Sequence, residues 1–191
     1  DAMEIARDYY HRQMLGNEAI KKYLKDRGLN EETVRNFKIG YSPESWDDVI
    51  GLLRGKKFSD EEIFLAGLSI KKEGTGKNYN RFRDRVMFPI NNAAGQTIGF
   101  SARINPNNST PEAEKTGKYI NSPQTQIYDK SRVLFALDKA KQAIKQNNLA
   151  IVVEGQMDAI SSHQHGFINT VASSGTALTA EQVKLIKRYT N

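Results

Sequence analysis

Leu149–Asp158 reads LAIVVEGQMD, and the fold follows from how that run is taken. Ile151, Val152 and Val153 are consecutive β-branched apolar residues, the signature of a strand buried on both faces of a parallel sheet. The run ends on an acid, Glu154, and on Gly155. A helical pattern follows from Gln156 to about His165, then a second apolar run from Ile168 to Ala172, so the unit reads β-α-β. Ser173, Ser174, Gly175 and Thr176 form the next loop. Thr179 and Gln182 have capping-box spacing and open a helix with Val183, Ile186 and Tyr189 on one side.

Ligands of open parallel sheets bind beyond the carboxyl ends of the strands, where Glu154 and the 173–176 loop fall. Glu154 and Asp158 are four residues apart, so their carboxylates project together if helical geometry begins at Gly155. Two such acids suit a hard cation, magnesium or manganese. An acid in a first helical turn can also do no more than meet the helix dipole, and Asp158 alone fits that description. Glu154 stands at a strand end beside a glycine that permits close backbone approach to a ligand.

The 191 residues can bury a sizeable core and suffice for one domain or two small ones. Cysteine is absent, which excludes disulfides and thiolate zinc sites and fits a reducing compartment. His11, His163 and His165 are the only histidines, and the last two, one residue apart, read as ordinary partly exposed side chains. There is no membrane-span-length apolar run and no signal-peptide pattern, so the expectation is a soluble, cytoplasmic protein without membrane contact. Lysine and arginine outnumber the acids 28 to 22, which points to polyanionic partners if the excess is clustered.

Up to about Phe64 the patterning is helical. Ala2–Met14 and Glu18–Arg27 are helices, the second stopped at Gly28, and Asn30 caps a short helix through Phe37. Ser45 caps a helix carrying Trp46, Val49, Ile50 and Leu53, and Ser59 with Glu62 forms a capping box before a helix that stops at Gly67. The aromatic side chains of these helices are assigned to packing, with stacking on nucleobases as the lesser alternative. From Leu68 the period changes to two. Ser69–Lys72 and the run from Tyr79 make a hairpin turning over Glu73–Gly76, and Val86–Ile90 with Thr97–Ile104 make a second around Ala94-Gly95. Gly74–Lys77 is not a P-loop, because the spacing is wrong and no Ser or Thr follows the lysine.

Arg81, Arg83 and Arg85 alternate with Phe82, Asp84 and Val86, so an extended chain sets all three guanidiniums on one face. Between Lys71 and Arg85 six cations face only Glu73 and Asp84. A solvated strand face could carry such charge, but a phosphate backbone would offset the repulsion, and nucleic acid is the favoured reading. Asn105–Gly117 is polar and reads as a mobile loop. Order returns at Lys118–Pro123, and Lys130 and Arg132 precede a helix from Val133 to about Gln146.

Taken together, RFRDRVMFPI (81–90), GFSAR (99–103), KYINSP (118–123) and VEGQMD (153–158) resemble, in order and spacing, the catalytic core of bacterial DnaG-type primases. The resemblance covers essentially the whole chain. VEGQMD followed by the SSGT loop is also similar to the Toprim fold of topoisomerases and related nucleases. It implies an α+β / α/β chain: a basic subdomain of helices and antiparallel strands over 1–148, then the first half of a Toprim subdomain, a Rossmann-like parallel βαβ, over 149–191.

The resemblance further implies a DNA-directed RNA polymerase, a nucleotidyltransferase of DNA replication and the primosome, that makes short RNA primers on single-stranded DNA with Mg2+ or Mn2+. Its substrates would be ribonucleoside triphosphates and its partner the replicative helicase. Glu154 then corresponds to the family's metal-holding, catalytic glutamate and Asp158 to the following catalytic acid. Arg81 and Arg83, with Arg85, match the template groove. Arg103, Lys118 and Asn121 match nucleotide contacts, Lys130 a nucleic-acid contact, and Gly175 and Thr176 the loop bordering the site. The family's Asp-x-Asp metal pair, zinc-binding domain and helicase-binding domain have no counterpart in these residues. The expectation is therefore a fragment, inactive by itself, whose full metal site needs acids beyond Asn191. A Toprim nuclease or topoisomerase relative and a non-catalytic single-strand-binding module are the competing readings.

Overall fold

The structure is a computed structural model that describes residues 2–72, 74, 76–108, 117–175 and 177–190. The expected turn residues Glu73 and Thr75, the middle of the expected 105–117 loop, and Thr176 lie outside the described residues.

Helices α1 (Ala2–Leu15), α2 (Glu18–Asp26) and α3 (Glu31–Asn36) open the chain, followed by strand β1 (Gly40–Ser42), α4 (Asp48–Gly55) and α5 (Asp60–Leu65). The N-caps are the expected ones at Asn30, whose side chain accepts from Thr33 N, and at Ser59, which makes a reciprocal capping box with Glu62. Two hairpins follow, β2 (Ser69–Lys71) with β3 (Asn78–Asn80), and β4 (Arg85–Asn91) with β5 (Thr97–Ile104). Strand β6 (Tyr119–Asn121) completes an antiparallel sheet of order β1-β4-β5-β6.

β4 is buried along Arg85–Ile90, so its alternation feeds two cores. Val86, Phe88 and Ile90 join the cluster with α2, α3 and α7 (Gln156–Gln164), while Met87 joins Phe100 and Ala102 beneath α1, α4 and α5. β1 escapes sequence reading because three residues are too few to show a period. It is fixed by packing: a Cβ on Gly40 would lie 2.7 Å from the backbone carbon of Tyr10, so only glycine lets α1 approach so closely.

A 3₁₀ turn (Lys130–Arg132) and α6 (Leu137–Asn147) lead to β7 (Ile151–Val153), α7, β8 (Thr170–Ala172) and α8 (Ala180–Ile186). β7 and β8 pair in parallel across α7, as the βαβ reading requires. Three expectations are corrected here. Val133–Ala136 is not helical, because Phe135 exchanges backbone hydrogen bonds with Ala172 (2.9 and 3.1 Å) and Ala136 turns left-handed, at φ +66°, before α6 begins. Ile168 stands exposed before β8 rather than in a buried run. β7 is not buried on both faces: Val171 is enclosed by α6 and α8, but its neighbour Val152 is 39% exposed.

Candidate nucleic-acid and catalytic site

The basic stretch does not form the expected single face. Asp84 takes φ +48°, held by Tyr41 Oη (2.6 Å) and by Asn105, and this left-handed residue breaks the alternation before β4 begins at Arg85. The chain also bends at Arg81, and the three arginines occupy three environments. Arg85 is 4% exposed and donates to the carbonyls of Ala102 and Gly117, both at 3.3 Å. Arg81 is half-buried in a cleft of about 550 Å³ with Phe64, Leu65, Ile70 and Pro123, and its Nε has no partner among the described residues. Burial moves both guanidiniums below their ordinary pKa, for Arg85 with help from nearby Arg83.

Arg83 is the one turned to the surface platform. Its guanidinium lies 4.1 Å from the ring centroid of Trp46 and 5.2 Å from that of Tyr79, and the two rings meet edge-on at 5.5 Å. Trp46 is 62% exposed, although the sequence assigned it to the core. That assignment fails because the helix begins at Asp48, not at Ser45, so Trp46 sits in the preceding loop and is out of phase with Val49, Ile50 and Leu53. With Lys72, Lys77 and Asn78 the two rings line an open cleft of about 380 Å³. Trp46 and Tyr79 are thus functional candidates that pattern reading missed. The available signal was a tryptophan beside Pro43, Glu44 and Ser45 in a turn-forming stretch.

A second region gathers on one face of the sheet. Ser101 pairs with Asn121 and Arg103 with Tyr119 across β5 and β6, so these side chains share the face that meets α2 and α7. The Arg103 guanidinium lies 5.4 and 5.6 Å from the rings of Tyr23 and Tyr119 and donates to Tyr119 Oη at 3.2 Å. Arg103 Nε, Asn121 Oδ1 and the Tyr23 hydroxyl are buried without a hydrogen-bond partner among the described residues. Burial also raises the Tyr23 pKa, so the hydroxyl stays neutral. Unmet donors and acceptors on neighbouring elements are the mark of a site a polar ligand completes. Lys118 is exposed at the start of β6.

The acidic stretch joins this face through Gln156, the first residue of α7, whose buried amide donates to Ser101 Oγ at 2.9 Å. Gly155 is the N-cap, with φ −108° and ψ 147°, so Glu154 precedes the helix and the condition for the two carboxylates to project together by helical spacing is not met. The loop supplies a different arrangement. A Cβ on Gly155 would lie 2.8 Å from Asp158 Oδ2, so the glycine makes room for that carboxylate. Gly175 N donates to the Glu154 carbonyl at 3.3 Å, and Gly175, at φ +83°, lies beside Lys130 Nζ. The 3₁₀ turn carrying Lys130 is tied to α8 by Thr179 Oγ1 on the Ser131 carbonyl (2.6 Å) and by Gln182. Glu154, Gly175 and Lys130 are therefore brought together, with Asp158 one turn away. Glu154 and Asp158 are exposed and form no ion pair among the described residues. They fit a hard divalent cation in donor type but as part of a site, since no group of three acidic or histidine ligands occurs among the described residues.

The family model described as the N-terminal domain of the DNA primase catalytic core matches residues 9–141. The chain belongs to the DNA primase catalytic core family. A second, Toprim-like model matches residues 151–191. The DNA primase of Deinococcus radiodurans is 42% identical over 183 residues, covering 96% of this chain and 30% of that protein. The DNA primase of Escherichia coli (strain K12) is 39% identical over 173 residues, 91% of this chain and 28% of that protein. The chain thus spans about 30% of the length of these primases.

Among solved structures, the RNA polymerase domain of Mycobacterium tuberculosis primase DnaG, in complex with a double-stranded DNA oligomer with a 6-nucleotide overhang, superposes with a TM-score of 0.89 at 33% identity. That match covers 98% of this chain and 57% of the other. A DnaG primase catalytic domain bound to ssDNA gives 0.86 at 36% identity, covering 100% and 59%. The primase-core fold explains the mixed architecture: an antiparallel sheet with helices on both faces, followed by a parallel βαβ. No helix among the described residues is long and apolar enough to cross a membrane.

Proposed function

We propose that this chain is the part of a DNA primase that grips the single-stranded template and begins the nucleotidyl-transfer site. The observation that carries this reading is the exposed platform of Trp46, Tyr79 and Arg83 with Lys72 and Lys77 at its edge. An aromatic face accepts any base, a stacked guanidinium adds a cation, and lysines track phosphates; that combination suits single strands, because duplex bases are already stacked. Arg81, half-buried in its own cleft, is a second cation for the template, while Arg85 is spent on the Ala102 and Gly117 carbonyls. The solved DnaG catalytic domain bound to ssDNA supports the same ligand class.

In this reading Arg103, Lys118 and Asn121 hold a ribonucleoside triphosphate, with arginine and lysine making charge-assisted hydrogen bonds to its phosphates. The unpartnered Arg103 Nε and Asn121 Oδ1 support that assignment. Lys130 and Gly175 border the site on the nucleic-acid side, and the family resemblance adds Thr176. Glu154 and Asp158 would hold Mg2+ or Mn2+ together with further acids of the whole enzyme. When bound, the cation supplies charge stabilisation to an attacking hydroxyl and a leaving pyrophosphate. The chain's own part is to hold carboxylate oxygens at the end of β7, and to keep that end registered to β5 through Gln156. The two subdomains, 1–148 and 149–191, share one apolar cluster across their boundary. The cytoplasm as compartment and the replicative helicase as partner rest on the family resemblance.

The experiment is fluorescence anisotropy of labelled oligo(dT) against a duplex of equal length, at two salt concentrations, for the chain and for Trp46→Ala/Arg83→Ala. Single-strand preference that falls steeply with salt and collapses in the double variant is the expected result. Binding indifferent to both residues refutes the platform.

A further inference from the structure

Trp46 raises a mechanical question. An aromatic ring that is 62% exposed gains little orientation from core burial, yet a stacking platform needs its ring held in one place. The bonds around it converge on one residue. Asn80 is fully buried. Its backbone N–H donates to the Trp46 carbonyl at 2.7 Å, and its carbonyl accepts from Arg83 Nη1 at 2.6 Å. Its side-chain amide then grips both flanks of Trp46. Nδ2 donates to the Ser45 carbonyl at 3.1 Å and to Asp48 Oδ1, and Oδ1 accepts from Ile50 N at 3.3 Å. The Asp48 carboxylate is in turn fixed by Tyr9 Oη at 2.5 Å and by Val49 N at 2.6 Å. Burial and the neighbouring Asp48 push the Tyr9 pKa up, so its hydroxyl stays a donor.

We infer that Asn80 is the positioning residue of the single-strand platform: its backbone carbonyl holds Arg83, and its side-chain amide, braced by the Asp48–Tyr9 pair, clamps the Trp46 loop. This rests on the reading of Trp46, Tyr79 and Arg83 as the template contact. Any residue at position 80 can keep the two backbone bonds. Only a side chain carrying both a donor and an acceptor at this length can clamp Ser45, Asp48 and Ile50 at once, as an amide does. Changing Asn80 to a carboxylate withdraws the donor from the Ser45 carbonyl and sets a second anion against Asp48.

The test compares Asn80→Asp with Trp46→Ala, each shown to be folded by far-UV circular dichroism. Two quantities are read: oligo(dT) affinity by anisotropy, and the near-UV dichroism of the single tryptophan, which reports whether its ring is fixed. Asn80→Asp is expected to weaken oligo(dT) binding about tenfold, the size of one lost base stack, and to flatten the tryptophan band. Both are read well below each variant's melting temperature, so a loss at an unchanged far-UV spectrum reports the loop and not general destabilisation. If Asn80→Asp does not fold, Asn80→Ser takes its place, since it keeps the backbone bonds and withdraws the amide from Ser45 and Asp48; the same loss is expected. A folded Asn80 variant with parental affinity and tryptophan band overturns the inference. Trp46→Ala separates the two layers. If it binds oligo(dT) like the parent, the platform reading itself fails; if it binds weakly while the Asn80 variants bind normally, only the positioning role fails.

Discussion

The hydrogen bond from Gln156 Nε2 to Ser101 Oγ should behave as a measurable strut between β5 and the βαβ unit. Both residues are buried, at 5% and 1% exposure, and the bond is 2.9 Å long. Gln156→Met keeps the length and volume of the side chain but removes the amide. The Ser101 hydroxyl then loses the donor it accepts from in a place water does not reach, which costs about 1–3 kcal/mol. Ser101→Ala alone strands the amide at the edge of the helix, at a cost of about 1 kcal/mol. With both changes no polar group is orphaned, and the double variant should lie at least about 1 kcal/mol above the sum of the singles. Equilibrium urea denaturation measures the cycle, and for a chain of this size melting temperature shifts by about 2–4 °C per kcal/mol. Additivity within about 0.5 kcal/mol would refute the strut, because independent sites add to that precision.

Gly40→Ala should lower the melting temperature, since the new methyl meets Tyr10 backbone atoms at 2.7 Å; overpacking of this kind costs about 1–3 kcal/mol, read by thermal denaturation. His163 supplies a pH dependence. Burial, ahead of the influence of Lys139, holds its pKa below the ordinary 6.5, although Nε2 donates to the Thr170 carbonyl at 2.8 Å. The unfolded chain therefore takes up the proton first. The stabilisation is complete above about 6.5 and is lost as pH falls through the lower folded-state value. Melting temperature recorded against pH should decline over that interval in the parent and decline less in His163→Gln; equal declines would contradict the assignment.

How far the residues alone reveal this molecule depends on the range of the forces involved. Caps and turns are local, and Asn30, Ser59–Glu62 and Thr179–Gln182 all cap where their spacing says. The βαβ unit and both hairpins follow from period and turn residues in the same way. What escapes is decided at a distance. Phe135 is drawn out of a helix by Ala172, thirty-seven places along, and β1 exists because β4 and α1 hold it. The arginine stretch shows the limit of pattern most clearly. Alternation over Arg81–Arg85 presumes an extended backbone, but the chain bends at Arg81 and turns left-handed at Asp84, bonded to Tyr41 and Asn105, and the three side chains go to three places. Trp46 fails for a related reason: a helix start displaced from Ser45 to Asp48 converts an expected core position into the most exposed of the large aromatic side chains on the platform. Glu154 and Asp158 were legible as a pair of acids at a strand end, while their link to β5 through Gln156 and Ser101 was not, because nothing in either segment announces the other.

Titration of the intrinsic fluorescence of the chain with oligo(dT) tests the central claim most directly, since Trp46 is the only tryptophan and its emission reports from the platform itself. The account predicts saturable quenching whose midpoint moves to higher oligo(dT) concentration as salt rises and matches the midpoint from labelled-DNA anisotropy. Emission that stays constant while anisotropy shows the DNA bound would contradict it, by placing the template elsewhere on the surface.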